Sequence, residues 1–287
     1  MDYLILLAAV ILQAAAFVYQ KKYQNKAGHS LLSGLVFNAI LGFSTVWIFL
    51  GINGFRFEFS QYSLIMAFLM TTFAVCYNII SFKILKEGNM ALYTLFLMTG
   101  GMTVPYIWGI AFLDESVTWQ RTVGLLLIFA AVIFSNTGAK RPDKKQIALC
   151  VSVFVLNGFV SVVSKLHQID TVHNAVNATG FVILTGAVKF IMSAAAIPVV
   201  KKRTGAELPK IKPVLHFIII SAAVTGGSYM LQLIGAENLP ATVLYPIITG
   251  GCIIFTSIAG MFAFKERPTI QQWIGIAVCF AGICLFG

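Results

Sequence analysis

Apolar residues fall into ten long runs along the chain, and short polar segments separate these runs. Each run holds about 17–25 residues, the length that crosses about 30 Å of hydrocarbon as a helix. The runs do not alternate between apolar and polar positions, as the strands of a membrane β-barrel would. The pattern therefore predicts an all-α integral membrane protein with ten transmembrane helices, at about 3–20, 31–52, 62–82, 91–113, 119–138, 146–165, 175–200, 214–235, 241–264 and 270–286.

Composition supports a place in the bilayer. The chain has 287 residues, of which 59% are hydrophobic and 10% are charged, whereas soluble domains carry roughly 25% charged residues. We therefore expect a multi-pass protein of the cell membrane, with its net charge of +10 arising from loops rather than from contact with nucleic acid. The first run follows Met1-Asp2 without a basic segment, which predicts a retained helix and not a signal peptide.

The basic residues predict the orientation of the helices. Lys and Arg concentrate in cytoplasmic loops, and 16 of the 20 basic residues lie in the loops after the first, third, fifth, seventh and ninth runs. Those loops are predicted to be cytoplasmic, and both termini extracytoplasmic. The other four basic residues are Arg56, Arg121, Lys165 and Lys189.

The chain also contains an internal repeat. The segment 99–101 recurs as 249–251, and a similar turn and apolar run follow each copy. Further matched pairs are Gln13 and Asn157, Lys21 and Lys165, and Glu115 and Glu266, and Tyr77 lies near the counterpart of Tyr229. The repeat divides the chain into residues 1–140 and 141–287, with five helices each. Because five is odd, the second half enters the membrane from the opposite side, which predicts two inverted five-helix repeats.

The segment "ITGGCIIFTSIAGMFAFKERPTIQQWIGIAVCFAG" carries a family resemblance. Its Gly-rich run, the turn with Glu266 and Thr269, and the final run resemble the EamA-type repeat of the drug/metabolite transporter superfamily. The resemblance covers nearly all of the chain and implies a ten-helix transporter related to the small multidrug resistance proteins. Ten-helix members are commonly drawn with cytoplasmic termini, whereas the basic residues of this chain predict the reverse.

One departure from the family pattern limits the mechanism. Small multidrug resistance proteins carry a titratable Glu in the first helix, which exchanges protons for cationic drugs. The matching positions in this sequence are Gln13 and Asn157, and neither amide titrates. The departure argues against a proton/cation antiporter of that type.

Polar side chains inside the apolar runs are the candidates for substrate contact, because in lipid they need partners or water. Lys189 lies near the middle of the seventh run without an evident acidic partner. We predict that it faces a central cavity, where it holds a substrate carboxylate or phosphate or couples transport to protons. The alternative for Lys189 is a different register of the span, or a hydrogen bond to helix-end carbonyls; for each of the other candidates alone it is interhelical hydrogen bonding. The other candidates are the amides Gln13, Asn38, Asn78, Asn157 and Gln232 and the tyrosines Tyr77, Tyr93, Tyr229 and Tyr245.

Glycine and proline inside the runs indicate close packing and kinks. The paired glycines at 100–101 and 250–251 suit a close approach of helix backbones, or alternatively loosen helices that bend during transport. Pro105 and Pro246 each free a backbone carbonyl, which either faces a cavity or accompanies a simple kink.

Together these observations predict a secondary transporter that moves a small polar or aromatic metabolite, such as an amino acid or a related compound, by alternating access. The alternatives are a multidrug or cation exporter, and a non-transporting scaffold or lipid-flipping partner. No phosphate-binding loop, CxxC pair or metal-ligand spacing occurs in the sequence, so we expect no cofactor, no metal and no enzyme activity. The predicted partners are the small-molecule substrate and the lipid bilayer, with the chain as a monomer or homodimer.

Overall fold

The structure is a computed structural model that describes residues 2–86, 90–135, 143–265 and 269–286. Within these ranges the chain forms ten α-helices and no β-strand, which confirms the all-helical prediction. The helix bounds follow the predicted runs to within four residues, except that α1 continues to Ala27. The helices are α1 (Asp2–Ala27), α2 (Leu31–Ile52), α3 (Gln61–Lys86), α4 (Met90–Phe112), α5 (Trp119–Ser135), α6 (Lys144–Gln168), α7 (Ala178–Thr204), α8 (Leu215–Asn238), α9 (Ala241–Phe264) and α10 (Ile270–Cys284).

Eight of these helices are long and apolar enough to cross a membrane. The two others are α5, with 17 residues, and α10, with 15 residues. At the rise of an α-helix these lengths correspond to about 25 Å and about 22 Å, less than the roughly 30 Å of a hydrocarbon core. The described part of the chain therefore contains eight candidate spans where the sequence predicted ten.

Polar residues in the connections start several helices. The side chains of Ser30, Asp143, Asn177 and Thr269 each accept a hydrogen bond from a backbone N–H in the first turn of α2, α6, α7 and α10 respectively. Such caps satisfy amides that have no partner inside the helix. At the start of α10, Gln272 returns the bond and completes a capping box.

The first five helices pack mainly on the last five. α2 packs along α7, α5 packs along α10, and α4 contacts α9. α1 packs on α8 and α9, while α6 packs on α3 and α4. These pairs are consistent with a correspondence of α1 with α6, α2 with α7, α3 with α8, α4 with α9 and α5 with α10. When each helix is replaced by its counterpart, every pair becomes itself or another of these pairs. The predicted boundary between residues 140 and 141, and the repeat residue Glu266, lie outside the described residues.

Glycines lie where the helix backbones come closest. A β-carbon on Gly42 of α2 would come within 2.6 Å of the Gly186 carbonyl oxygen of α7. A β-carbon on Gly100 of α4 would overlap the Phe154 carbonyl oxygen of α6. Between α5 and α10, a β-carbon on Gly124 would lie 2.8 Å from the Gly282 carbonyl oxygen. These contacts support the packing role that the sequence suggested for its glycines.

Candidate functional site

One face of α6 carries a row of polar side chains into the interior of the bundle. Asn157, Ser161 and Ser164 are spaced by four and three residues, which places them on the same side of a helix. The Asn157 side-chain amide donates to the Leu97 carbonyl oxygen of α4 at 2.8 Å, and the Ser161 hydroxyl donates to the Gly101 carbonyl oxygen at 3.2 Å. The row therefore joins the second half of the chain to α4 of the first half.

Pro105 explains why the Gly101 carbonyl is available. Proline lacks the N–H that would bind the carbonyl four residues earlier in a helix, and Pro105 lies inside α4. The freed oxygen accepts the hydroxyl of Ser161. The freed carbonyl predicted from the sequence is thus observed to have an interhelical partner, which favours a structural reading of Pro105 over an empty cavity.

Two tyrosines extend this row to α8 and α9. The Tyr229 hydroxyl lies 3.0 Å from the Ser164 hydroxyl and 3.1 Å from the sulfur of Met70 on α3. The Tyr245 hydroxyl donates to the Ser161 carbonyl oxygen at 2.5 Å, and the side chain is buried. Four helices thus meet at one set of hydroxyl groups.

Gln13 and Gln232 meet at Ser228 of α8. The Ser228 hydroxyl lies 2.7 Å from the Ala9 carbonyl oxygen and 3.2 Å from the Gln13 side-chain oxygen of α1. The Gln232 side-chain amide donates to the Ser228 hydroxyl at 3.0 Å. Ser228 and Tyr229 are consecutive residues of α8, so this cluster and the tyrosine cluster lie at the same level of that helix. We call the two clusters together the polar network: Gln13, Asn157, Ser161, Ser164, Ser228, Tyr229, Gln232 and Tyr245.

Lys189 lies on the inward side of α7. It shares a helical face with Thr185 and Ser193, four residues away on either side, and both are buried at 6% and 2% exposure. The neighbouring Ile191 is 63% exposed and marks the outward side. Lys189 itself is half-buried, and within the described ranges no acidic side chain forms an ion pair with it. Its ammonium is therefore a positive charge on an interior face of the bundle.

The remaining candidates lie outside the polar network. The Asn78 side chain donates to the Ala74 carbonyl oxygen of its own helix at 2.7 Å. Tyr77 and Tyr93 pack in a hydrophobic cluster with Ile84 of α3 and with Cys150 and Val153 of α6. Asn38 is half-buried on α2, the helix that packs along α7.

A charged pair that the sequence analysis left aside stands at one end of the network. The Lys165 ammonium donates to the carbonyl oxygens of Ala236 at 2.5 Å and Leu239 at 2.8 Å, at the end of α8. The two Glu115 carboxylate oxygens accept the backbone N–H groups of Ala241 at 2.7 Å and Thr242 at 2.8 Å, at the start of α9. A charge of suitable sign therefore meets each helix end.

Comparison with known proteins decides the family. The model of the EamA-like transporter family matches residues 144–287, half of the chain. The chain belongs to the EamA-like transporter family. The members are transporters, so the protein is a multi-pass membrane protein of a transporter family.

Three curated relatives share a name, "Probable 4-amino-4-deoxy-L-arabinose-phosphoundecaprenol flippase subunit ArnE". The relative from Hamiltonella defensa is 34% identical over 73 residues, which is 25% of this chain and 65% of the relative. The relative from Pseudomonas fluorescens is 34% identical over 62 residues, 22% of this chain and 54% of the relative. The relative from Proteus mirabilis is 30% identical over 76 residues, 26% of this chain and 66% of the relative. The chain thus spans less than two thirds of the length of these relatives.

A solved crystal structure supports the fold of the whole chain. It superposes with a TM-score of 0.75 and covers 99% of this chain and 97% of the solved one, at 15% sequence identity. At that identity the similarity shows the fold alone.

The polar network gives this EamA family member a cluster of uncharged polar side chains, and Lys189 adds a cation on an inward face of α7. Its hydroxyl and amide groups both donate and accept hydrogen bonds, and none of its eight side chains is acidic. Among the described residues, no three or more His, Cys, Asp or Glu side chains are grouped so that they could hold a metal ion. The arrangement suits binding of a polar solute by hydrogen bonds, with Lys189 available for an anionic group.

Sequence reasoning missed the serines of the network and the roles of Glu115 and Lys165. The α6 serines could have been recognised from the sequence, because Ser161 and Ser164 continue a helical spacing that begins at Asn157 in a largely apolar segment. Glu115 gave no such signal, because its partners are backbone amides.

Proposed function

We propose that this protein is a secondary transporter that moves a small polar metabolite by alternating access between two inverted five-helix halves. The observation that carries the proposal is the polar network, in which hydrogen bonds inside the bundle join side chains of one half to side chains or carbonyls of the other. In transporters built from inverted repeats, the substrate site lies near the midplane at the repeat interface. The packing of the helices supports this architecture, because the main contacts of each helix recur between the counterpart helices of the other half.

The chemistry of the interior favours a neutral, zwitterionic or anionic solute over a permanent cation. A cation would need carboxylates or an aromatic cage, and the network has no carboxylate. Lys189 would bind a carboxylate or phosphate, and the amides and hydroxyls would bind the remaining polar groups. The amino acid or related compound suggested by the sequence fits this description.

A lipid-linked sugar is the second candidate substrate, and two observations favour it. The curated relatives are named as subunits of a flippase for a phosphoundecaprenol-linked amino sugar. In addition, a cavity of about 360 Å³ between α3 and α7 is lined only by apolar side chains, several of them exposed on the outer surface of the bundle. A hydrocarbon tail would occupy this cavity while the sugar binds the polar network. In that case the chain would act with a second subunit.

The orientation of the chain is part of the proposal. Sixteen basic residues lie in or beside alternate connections between the helices, and by the positive-inside rule this distribution predicts that both termini are extracytoplasmic. An alkaline phosphatase fused to the C-terminus should then be active, and a green fluorescent protein fused there should be dark.

A binding screen separates the two substrate classes. Ligands that bind the folded state raise its melting temperature by mass action. Purified protein would be heated with amino acids, sugar phosphates and short-chain polyprenyl phosphates, and the compounds that stabilise it would be tested for movement across proteoliposome membranes. Stabilisation and uptake of a soluble metabolite support the first candidate. Stabilisation only by polyprenyl-linked compounds supports the second, and a lack of movement of either class contradicts the transporter proposal.

A further inference from the structure

The connection between α8 and α9 leaves backbone groups that need partners. α8 ends at Asn238 and α9 begins at Ala241, so only two residues separate them. The residue before α9 is Pro240, and it provides no side-chain cap. The first N–H groups of α9 and the last carbonyl groups of α8 therefore depend on other parts of the chain.

Glu115 supplies the missing cap from the other half of the molecule. It lies in the connection between α4 and α5, and its backbone N–H donates to the Gly109 carbonyl oxygen at 3.1 Å. Both carboxylate oxygens bind N–H groups of α9, where a negative charge is favoured by the helix dipole. A β-carbon on Gly109 would lie 2.6 Å from a carboxylate oxygen of Glu115, so glycine at this position makes room for the carboxylate.

Lys165 binds the carbonyl side of the same connection. Its side chain is 5% exposed, and its ammonium donates to two carbonyl oxygens at the end of α8. Two opposite charges therefore bind the two sides of one short connection: Lys165 binds the carbonyl groups that end α8, and Glu115 binds the N–H groups that begin α9.

Lys165 and Glu115 lie about one helical turn beyond the polar network, at the end of the bundle where α8 joins α9. Lys165 follows Ser161 by one helical turn on α6, and Tyr245 follows Ala241 by one turn on α9. Ser161 and Tyr245 are hydrogen-bonded to each other in the network. A solute in the network would therefore meet Lys165, Glu115 and the α8–α9 connection if it left toward this end.

We infer that Glu115 and Lys165 form a latch that closes this end of the transport path. The inference rests on the proposed function. Glu115 belongs to the first half and α9 to the second, so the carboxylate must leave the N–H groups of α9 when the halves separate at this end. The latch holds one access state, and its release opens the network to the aqueous side next to it.

Accessibility of a cysteine in the network tests the latch without any substrate. Ser161→Cys would be introduced after the five native cysteines have been replaced, and membrane-impermeant trimethylammonium-ethyl methanethiosulfonate would be added to right-side-out and to inside-out vesicles. Hydrogen bonds to a charged group contribute enough that their loss should change the open population about tenfold or more. We expect Glu115→Ala and Lys165→Met to raise the labelling rate of the cysteine at position 161 by that factor. The increase should occur only when the reagent is added on the side of the membrane that faces the α8–α9 connection.

Gly109→Ala provides an independent variant, because it displaces the carboxylate without removing it. It should raise labelling in the same direction as Glu115→Ala. Glu58→Gln and Glu237→Gln are matched controls, since these carboxylates bind Asn177 and Gln168 in exposed positions among the same set of connections. Both controls should label at the rate of the parent. Monodisperse elution of each variant from a size-exclusion column ensures that folded protein is compared.

The outcomes separate the latch from the transporter proposal. Equal labelling of the parent, Glu115→Ala and Gly109→Ala from both sides would overturn the latch even if the protein transports a solute. Faster labelling from one side only in Glu115→Ala, Lys165→Met and Gly109→Ala would support the latch even if the protein moves none of the solutes tested. A similar increase in Glu58→Gln would show a general loosening of this end and would also overturn the latch.

Discussion

The first helices of the two halves, α1 and α6, match in sequence but differ inside the bundle. Gln13 and Asn157 occupy matched positions 144 residues apart. Gln13 accepts a hydrogen bond from Ser228, whereas Asn157 donates one to α4. Four residues further along, α1 has Phe17, which is 46% exposed, and α6 has Ser161, which joins the polar network. α1 therefore contributes one polar group where α6 contributes a row.

The matched lysines show the same difference. Lys165 is buried against the carbonyl oxygens that end α8. Lys21 is half-buried, and its ammonium lies 4.5 Å from the centre of the Phe264 ring. Although α1 and α6 pack on matched pairs of helices, seven of the eight side chains of the polar network come from the second half. We expect substitutions in the second half to affect transport more than their counterparts in the first.

Lys189 is the sharpest test of this imbalance, because α2, the counterpart of α7, has no charged residue. Lys189→Ala should lower uptake into proteoliposomes by at least about 30-fold, the effect of leaving a bound anion without its partner. Lys189→Arg keeps the charge but does not titrate, so it should retain binding and lose any proton coupling. Val199→Ala, at an exposed position of α7 outside the apolar cavity, is the control and should transport normally. Normal uptake by Lys189→Ala would remove the residue from the site.

The contact between α2 and α7 compares one glycine from each half. Gly42→Ala would place its β-carbon 2.6 Å from the Gly186 carbonyl oxygen, whereas Gly186→Ala would place its own 3.2 Å from the Gly42 carbonyl oxygen. Overpacking costs about 1–3 kcal/mol, and we expect Gly42→Ala to lower the melting temperature more than Gly186→Ala does. Gly51→Ala, with open space around it, should leave the melting temperature unchanged or raise it. Equal effects of all three substitutions would contradict the close contact.

The smallest expected effect concerns the connection between α6 and α7. A hydrogen bond from His173 lowers the pKa of the half-buried Asp170 carboxyl, whereas the matched position in the first half is Lys26, in the last turn of α1. A lowered pKa stabilises the folded state above the unfolded value of about 3.9, and this contribution is lost as the pH falls through the folded pKa. The difference in melting temperature between wild type and Asp170→Asn should be small at pH 5 and should shrink below about pH 4. An increase on acidification would contradict the assignment.

The sequence was sufficient for the helices because each apolar run is bounded by polar or capping residues such as Ser30 and Thr269. It was also sufficient for several network members, since Gln13, Asn157 and Tyr229 are polar residues in otherwise apolar segments. It was not sufficient for their pairing, because a hydroxyl or amide accepts many partners and the helix contacts select among them. Glu115 shows the limit most clearly. Its partners are N–H groups that every helix start offers, so only the three-dimensional arrangement identifies α9 as the one it caps.

The proline in α4 has a consequence for how the helices move together. Because Pro105 has no N–H, α4 can bend there without breaking a hydrogen bond of its own. The carbonyl that would have received that bond instead holds Ser161 of α6. A bend in α4 therefore changes the position of the acceptor on which α6 docks, so that a change of shape within one helix is transmitted as a displacement between two.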